Sequence, residues 1–205
     1  AGLDPSVAEL LRRQWGLDQP LPTQYVRFLV NALQGDLGRS FVSRQLVTEA
    51  IIERLGATFR LGLGGLAVAV ALGLPAGILA AYRRGMWADT VSTVAAMAGV
   101  SMPVFWLGLL LMYGLAVKLQ WLPPSGYGGG QFRYLILPSL TLGLPVAAVI
   151  ARVSRSSMLE VLRHDYVTTA RAKGLGERVV VLRHALRDAL IPIVTIGGVH
   201  AGNLL

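Results

Sequence analysis

Three long runs without a charged residue dominate the hydrophobic pattern of this chain. They hold twenty-two, twenty-eight and eighteen residues. Each run lies between two charged residues: Arg60 and Arg83, Asp89 and Lys118, and Arg133 and Arg152. A helix crosses the hydrocarbon core of a membrane with about twenty apolar residues. Together with a fourth apolar run after Asp188, the pattern predicts an all-α integral membrane protein with spans at about 55–82, 91–117, 134–153 and 189–205.

The first two predicted spans contain small or helix-breaking residues. In the first, Gly73 and Gly77 have the small-xxx-small spacing that favours close helix packing, although they could also border a substrate path. The second is interrupted midway by Ser101, Met102 and Pro103, which are followed by Phe105 and Trp106. A break beside aromatic side chains makes these five residues candidates for lining a pathway; a simple helix bend is the equal alternative.

Residues 1–54 are more polar than the remainder and contain six of the eleven acidic residues. They predict an extracytoplasmic region with short helices at 6–14 and 23–34, separated by a turn at 18–22. Ser6 and Glu9 have the spacing of a capping box in the first of these helices. An amphipathic helix at 42–55 is expected to lead into the first span.

A basic polar insert at 154–188 separates the third and fourth apolar runs. Eight Lys or Arg residues lie between positions 152 and 187, whereas the loop between the second and third runs has two. Basic residues accumulate in cytoplasmic loops of membrane proteins. We therefore expect the insert and the turn at Arg83 and Arg84 to be cytoplasmic, and residues 1–54 and the loop 119–133 to lie outside.

The insert is predicted to form two helices joined by a glycine turn. The first covers 154–173, and Gly174 directly after it is typical of a helix that ends with a residue in the left-handed conformation. The second begins near Glu177. The apolar faces are expected to contain Leu159, Leu162, Tyr166 and Thr169 in the first helix and Val179, Leu182, Leu186 and Leu190 in the second. Such a pair would form a compact knob.

Composition excludes several classes of site. The net charge of +8 is explained by cytoplasmic loops, and no basic surface interleaved with aromatic residues indicates nucleic acid as a partner. The chain has no cysteine, and the phosphate-loop pattern GxxxxGK[ST] is missing. His164, His184 and His200 lack the spacing of a metal site. We therefore expect this chain to bind no cofactor or metal and to contact membrane lipid.

The insert resembles the EAA loop of ABC-transporter permeases. The motif is matched by Thr168, Thr169 and Ala170 at its start, by Gly174, and by Leu190-Ile191-Pro192 at its end. Thr168 stands where the motif has an acidic residue, and the long interval from the glycine to the proline is usual for the importers of dipeptides, oligopeptides and nickel. Segments similar to this branch also occur earlier, as GLDQPLPTQY at 16–25, GDLGRSF at 35–41 and ATFRLGL at 57–63.

The resemblance implies the six-helix importer permease fold, with the first helix and most or all of the last missing from this chain. It implies a bacterial inner-membrane assembly of this subunit, a second homologous permease, two ABC ATPase subunits that carry ATP and Mg, and an extracytoplasmic substrate-binding protein. The permease itself would carry no enzymatic chemistry. The residues implied to couple it to an ATPase are Asp165, Thr168, Thr169, Ala170, Lys173, Gly174, Leu190 and Pro192. Ala170 is expected to pack against that ATPase.

Two other classes of membrane protein compete with this interpretation. An ion- or proton-coupled secondary carrier would need an ionisable residue deep in a span, and the three enclosed runs contain none. An intramembrane enzyme would need paired carboxylates, a HExxH helix or a GxSxG serine inside a span, and these are missing as well. The resemblance implies an importer of di- or oligopeptides, although importers of peptides, nickel chelates and glutathione share these motifs and the individual substrate stays open.

Overall fold

The computed structural model describes residues 18–40 and 42–204, and the fold in these residues is all-α. The chain divides into two compact units, with the boundary between Gly56 and Ala57. The α-helices are α1 Leu21–Leu33, α2 Val47–Tyr82, α3 Trp87–Ser101, α4 Val104–Leu111, α5 Phe132–Val161, α6 Asp165–Ala172, α7 Glu177–Val179 and α8 Leu186–Leu204. Wider π-helical turns at Met112–Lys118 and Val180–Ala185 continue α4 and α7, and Gly128–Gly130 is a short 3-10 helix.

The first unit differs from the sequence prediction at both described helices. The expected helix at 6–14 lies outside the described residues. Helix α1 begins at Leu21, two residues early, because a proline is tolerated in the first turn of a helix. The expected helix at 42–55 begins only at Val47. A turn precedes it, in which Arg44 has a φ of 56° and Arg39 pairs with Leu46 in an antiparallel bridge.

Two helices, α2 and α5, are long and apolar enough to cross a membrane. Helices α3 and α4, with the π-helical turns that continue α4, pass the same test only as a pair bent by 110°. The interruption predicted at Ser101, Met102 and Pro103 is therefore a bend of 110° between two helices. Met102 is extended, with a ψ of 126°, because the proline after it disfavours helical backbone, and Pro103 is extended as well, with a ψ of 133°. Helix α8, the fourth predicted span, is not among the candidates in the described chain.

Helices α2 and α5 pack in parallel along a line of small residues. A Cβ added at Gly73 would collide with the Ala147 backbone, and one added at Gly77 would collide with Ala151. Both contact positions advance by four residues, one helical turn, so the two helices run in the same direction. Because only glycine lets the backbones approach this closely, the packing role predicted for Gly73 and Gly77 is confirmed.

The other helices of the second unit run back along α5. Asp89 at the start of α3 pairs with Arg155 near the end of α5, and Gly108 in α4 abuts Thr141 near its beginning. Helices α3 and α4 together thus return along the length of α5 in spite of their bend. Helix α8 runs the same way and reaches Gly65 with Leu204. The turn after α2 and the insert after α5 therefore lie at one end of this unit, and the loop 119–131 lies at the other.

Candidate functional site

The insert begins later than predicted, because α5 continues through the expected boundary at residue 153 to Val161. The predicted single helix over 154–173 is wrong. Arg163 and His164 donate backbone hydrogen bonds three residues back, which tightens the last turn, and His164 then turns extended with a ψ of 146°. Helix α6 starts afresh at Asp165. No glycine or proline marks this break in the sequence.

The turn after α6 has the geometry predicted for it. Gly174 has a φ of 78°, which confirms its left-handed conformation. Its N–H donates to the Arg171 carbonyl at 2.9 Å, and the Leu175 N–H donates to the Ala170 carbonyl at 3.4 Å. These two bonds are the pair that defines a Schellman motif, which satisfies the last carbonyls of a helix. The turn thus gives the Ala170 and Arg171 carbonyls at the end of α6 a hydrogen-bond donor each.

The two helical pieces of the insert share a small hydrophobic core of their own. Val167, Ala170 and Val180 are 0–7% exposed and pack together with Leu162. The prediction had placed Tyr166 and Thr169 on the apolar face of the first helix, but both are exposed. The break at 162–164 explains the difference, because α6 is not continuous with α5. The residues of α6 that face the core therefore do not follow the helical repeat of α5.

Ala170 therefore has a different position from the one expected. It was predicted to pack against an ATPase subunit, but it faces the interior of the insert and is 7% exposed. A larger or charged side chain at Ala170 would disrupt the insert's own core before it touched any partner. Ala170 can position the exposed residues of α6 but does not present a surface itself.

The second helix of the insert also buries a different face from the predicted one. The buried residues are Val180, Val181, Ala185, Ala189 and Ile193. Leu186 and Leu190 are partly buried against the main core as expected, but Val179 and Leu182 are exposed. The π-helical turn at Val180–Ala185 lies between the two pairs. Because a π turn holds more residues than an α turn, it rotates the residues before it relative to those after it.

Two side-chain contacts hold the insert together. The Arg171 guanidinium donates two hydrogen bonds to the Glu177 carboxylate, at 2.7 and 3.1 Å, across the Gly174 turn. This hydrogen bonding lowers the pKa of Glu177. The Tyr166 hydroxyl donates to Asp188 Oδ2 at 2.7 Å and so joins α6 to the start of α8. Partial burial and this bond raise the pKa of Tyr166 to about 12.

The structure brings most of the predicted coupling residues together and separates two of them. Asp165, Thr168, Thr169, Lys173 and Gly174 are all exposed on α6 and the turn that follows. Leu190 instead packs against the core of the helical unit. Pro192 lies inside α8, which continues through it to Leu204, so it does not mark a helix boundary. The predicted coupling residues that are exposed together thus belong to the first half of the motif, from Asp165 to Gly174.

Three apolar residues on the exposed face of the insert were not predicted to be there. Leu175, Val179 and Leu182 are 40%, 42% and 57% exposed. Leu175 lies in the link before α7, Val179 ends α7 and Leu182 lies in the π-helical turn, so this apolar stripe extends over eight consecutive residues. The helical pattern of the sequence had assigned Val179 and Leu182 to the buried face. Arg171, Lys173, Arg178 and Arg183 are exposed around it.

The predicted pathway residues come together at the break between α3 and α4. A concave surface of about 500 Å³ is lined by Ala98, Ser101, Met102, Pro103, Phe105 and Trp106. All five residues singled out in the sequence therefore border one cavity. The 110° bend creates this shape, because it exposes the end of α3 and the beginning of α4 side by side.

No set of three His, Cys, Asp or Glu side chains that could hold a metal ion comes together in residues 18–40 and 42–204. His164 instead makes an edge-on ring contact with Tyr166 at a centroid distance of 5.9 Å.

Comparison with known proteins gives two findings. The family described as binding-protein-dependent transport system inner membrane component matches residues 73–205. The chain is 49% identical to the glutathione transport system permease protein GsiC of Pectobacterium atrosepticum and 48% identical to GsiC of Escherichia coli K12. Each of these matches covers 98% of this chain and 65% of the relative, so the chain spans less than two thirds of the length of these proteins.

Proposed function

We propose that this chain, which belongs to the family of binding-protein-dependent transport system inner membrane components, acts as a permease subunit of an ATP-driven importer in the bacterial inner membrane. Its insert would dock on an ABC ATPase subunit, and its helices would form half of a translocation pathway. The observation that carries this proposal is the construction of the insert. It has its own core, a closed turn and an exposed apolar stripe at one end of the helical unit.

The geometry of the insert suits the transmission of movement between subunits. An element that passes on a displacement must be stiff, because a flexible loop absorbs the motion. The Schellman turn, the Arg171–Glu177 ion pair and the Tyr166–Asp188 hydrogen bond each limit internal motion of the insert. The last of these ends on α8, so a push on α6 would reach a helix that packs in the core of the helical unit.

The exposed surface also defines the kind of ATPase cleft that would receive it. Leu175, Val179 and Leu182 require an apolar groove, since leaving them in water forgoes their burial energy. Lys173, Arg178 and Arg183, which have no ion pair among the described residues, favour carboxylates at the rim of the groove. Lys173 would make the contact nearest the glycine turn, and Thr169, Thr168 and Asp165 would extend the contact along α6. Such an apolar centre with a charged rim is the usual composition of a protein interface.

The proposed substrate is a short peptide of the size of glutathione. The support is the printed function of the relatives, which are permease proteins of glutathione transport systems. The cavity at the break between α3 and α4 is the proposed pathway lining in this half. Its side chains from Ser101 to Trp106 combine apolar surface with a hydroxyl and an indole N–H, a mixture that suits a small polar ligand.

The proposed assembly contains a second homologous permease, two ATPase subunits with ATP and Mg, and an extracytoplasmic binding protein. The insert and the turn at Arg83 and Arg84 would face the cytoplasm, because both are basic and lie at the same end of the helices. The permease would have no enzymatic step of its own. A secondary carrier is less well supported, because the Asp89 carboxylate at the start of α3 already pairs with Arg155 and is not available to bind an ion.

Co-purification tests this function. The full-length natural protein is expressed with its ATPase subunits, and their ratio is measured after purification in detergent. The unchanged protein should retain ATPase subunits in stoichiometric amount, and Leu182→Asp should lose most of them because it places a charge in the apolar stripe. Arg163→Gln, which removes a charge from an exposed residue before α6, is the control and should retain them. Equal ATPase retention in Leu182→Asp and the unchanged protein would refute the docking role.

A further inference from the structure

The turn between α2 and α3 is fixed more firmly than a short connection requires. Gly85 has a φ of 77°, and its N–H donates to Asp89 Oδ2 at 3.0 Å. The Met86 N–H donates to the Arg83 carbonyl at 3.0 Å, and the Arg83 N–H donates to the Leu79 carbonyl at 2.9 Å, which continues α2 into the turn. The backbone at Arg83 and Arg84 is thereby held in one conformation.

The acidic residue closest to these arginines in the chain is paired with a different arginine. Asp89 is 7% exposed and receives two hydrogen bonds from the Arg155 guanidinium, at 2.6 and 3.0 Å. Its charge is therefore neutralised by α5. Arg83 and Arg84 are exposed, and in the described part of the chain neither has a carboxylate at ion-pair distance. The turn thus presents two uncompensated positive charges.

The position of the turn along α2 matches the boundary of a membrane. Arg60 and Arg83 enclose twenty-two uncharged residues, which span roughly 35 Å as a helix. The hydrocarbon core of a bilayer is about 30 Å thick, so Arg83 lies where the apolar core gives way to headgroups. Tyr82, Met86 and Trp87 beside it are 49%, 52% and 69% exposed. Tyrosine and tryptophan are the side chains that favour this interface.

We infer that Arg83 and Arg84, with Trp87 beside them, form a binding site for the phosphate of an anionic phospholipid headgroup. The guanidinium groups supply charge and hydrogen-bond donors for a phosphodiester, and the indole ring rests against the upper acyl chain. A protein partner would have to reach into the headgroup layer to meet the same residues. Lipid is therefore the occupant that the position of the turn favours, and this site is independent of ATPase docking.

The test measures lipid selectivity of the complete permease–ATPase complex in bilayer discs made from equal parts of phosphatidylglycerol and phosphatidylcholine. The lipids that stay bound after transfer to detergent are counted by mass spectrometry. The unchanged protein should retain phosphatidylglycerol preferentially, and Arg83→Gln with Arg84→Gln should reduce that preference about 30-fold, since each basic residue at an anionic surface contributes roughly fivefold. Arg83→Lys with Arg84→Lys should keep most of it.

Two further arms separate the alternatives. Arg163→Gln with Arg187→Gln removes the same charge from two exposed residues outside the apolar stripe and should leave the lipid preference unchanged. Inorganic phosphate added in excess should also leave it unchanged; if phosphate alone abolishes it, the site recognises free phosphate and the lipid proposal is wrong. The proposal is equally refuted if the Arg83 and Arg84 glutamine variant keeps the full lipid preference but loses ATPase subunits, because the turn would then be a protein contact.

Discussion

Gly174→Ala isolates the backbone requirement of the glycine turn from every other effect. A Cβ at Gly174 would meet no atom within 4 Å, so the substitution creates no collision. The φ of 78° nevertheless places an alanine in the left-handed region, at a cost of roughly 1–2 kcal/mol. Since about 1.4 kcal/mol corresponds to tenfold in an equilibrium constant, the closed turn should lose about 5- to 30-fold in population relative to open conformations.

Gly176→Ala is the matched control in the same turn. Gly176 also has open space around it, but its φ of –60° suits any residue. Amide hydrogen exchange of residues 165–185 in the intact protein should accelerate by that factor in Gly174→Ala and change little in Gly176→Ala. Retention of the ATPase subunits should fall in the same order. Equal exchange rates in the two variants would refute the conclusion that Gly174 holds the insert closed.

Three other predictions concern contacts elsewhere in the chain. Gly77→Leu should lower the free energy of unfolding by about 1–3 kcal/mol through overpacking against α5, whereas Gly197→Leu, which faces open space, should leave it nearly unchanged. Equal melting temperatures of the two variants would contradict the close packing. Asp89→Asn should destabilise the protein by about 1–3 kcal/mol, and adding Arg155→Gln should recover part of the loss, because the unpaired guanidinium is then removed. If the losses of stability of the two single variants simply add in the double variant, the ion pair is contradicted. Titration of phenolate absorbance should give a pKa of about 12 for Tyr166, so its contribution to stability is full below pH 10 and is lost as the pH rises through 12. An ordinary pKa near 10 would contradict the hydrogen bond to Asp188.

The sequence identified the features that depend on composition and on local backbone rules. Long uncharged runs gave the helices α2 and α5, since a helix in lipid needs apolar residues over its whole length. Gly174 was recognisable because few residues other than glycine end a helix in the left-handed conformation. Gly73 and Gly77 were recognisable from their spacing. In each case one residue type satisfies a requirement that others satisfy poorly.

The features that depend on tertiary packing could not be predicted in this way. The end of α5 at Val161 carries no glycine or proline, so nothing in the local sequence marks it. The π-helical turn at Val180–Ala185 shifts the buried face, and a regular helical period assigns Val179 and Leu182 to the wrong side. Ala170 belongs to a motif that suggested a contact with a partner, but its side chain is buried in the small core of the insert. Each error arises where a neighbouring helix decides the orientation of a side chain.

The most direct test of the account is a site-specific cross-link from the exposed stripe of the insert. The chain has no cysteine, so a single cysteine at Leu182 can carry a photo-reactive label in the assembled complex. The account predicts that irradiation joins this label to an ATPase subunit, and that a label at Tyr127 in the loop at the other end of the helices does not reach that subunit. A label at Leu182 that fails to reach the ATPase in an assembly active in transport would contradict the central claim.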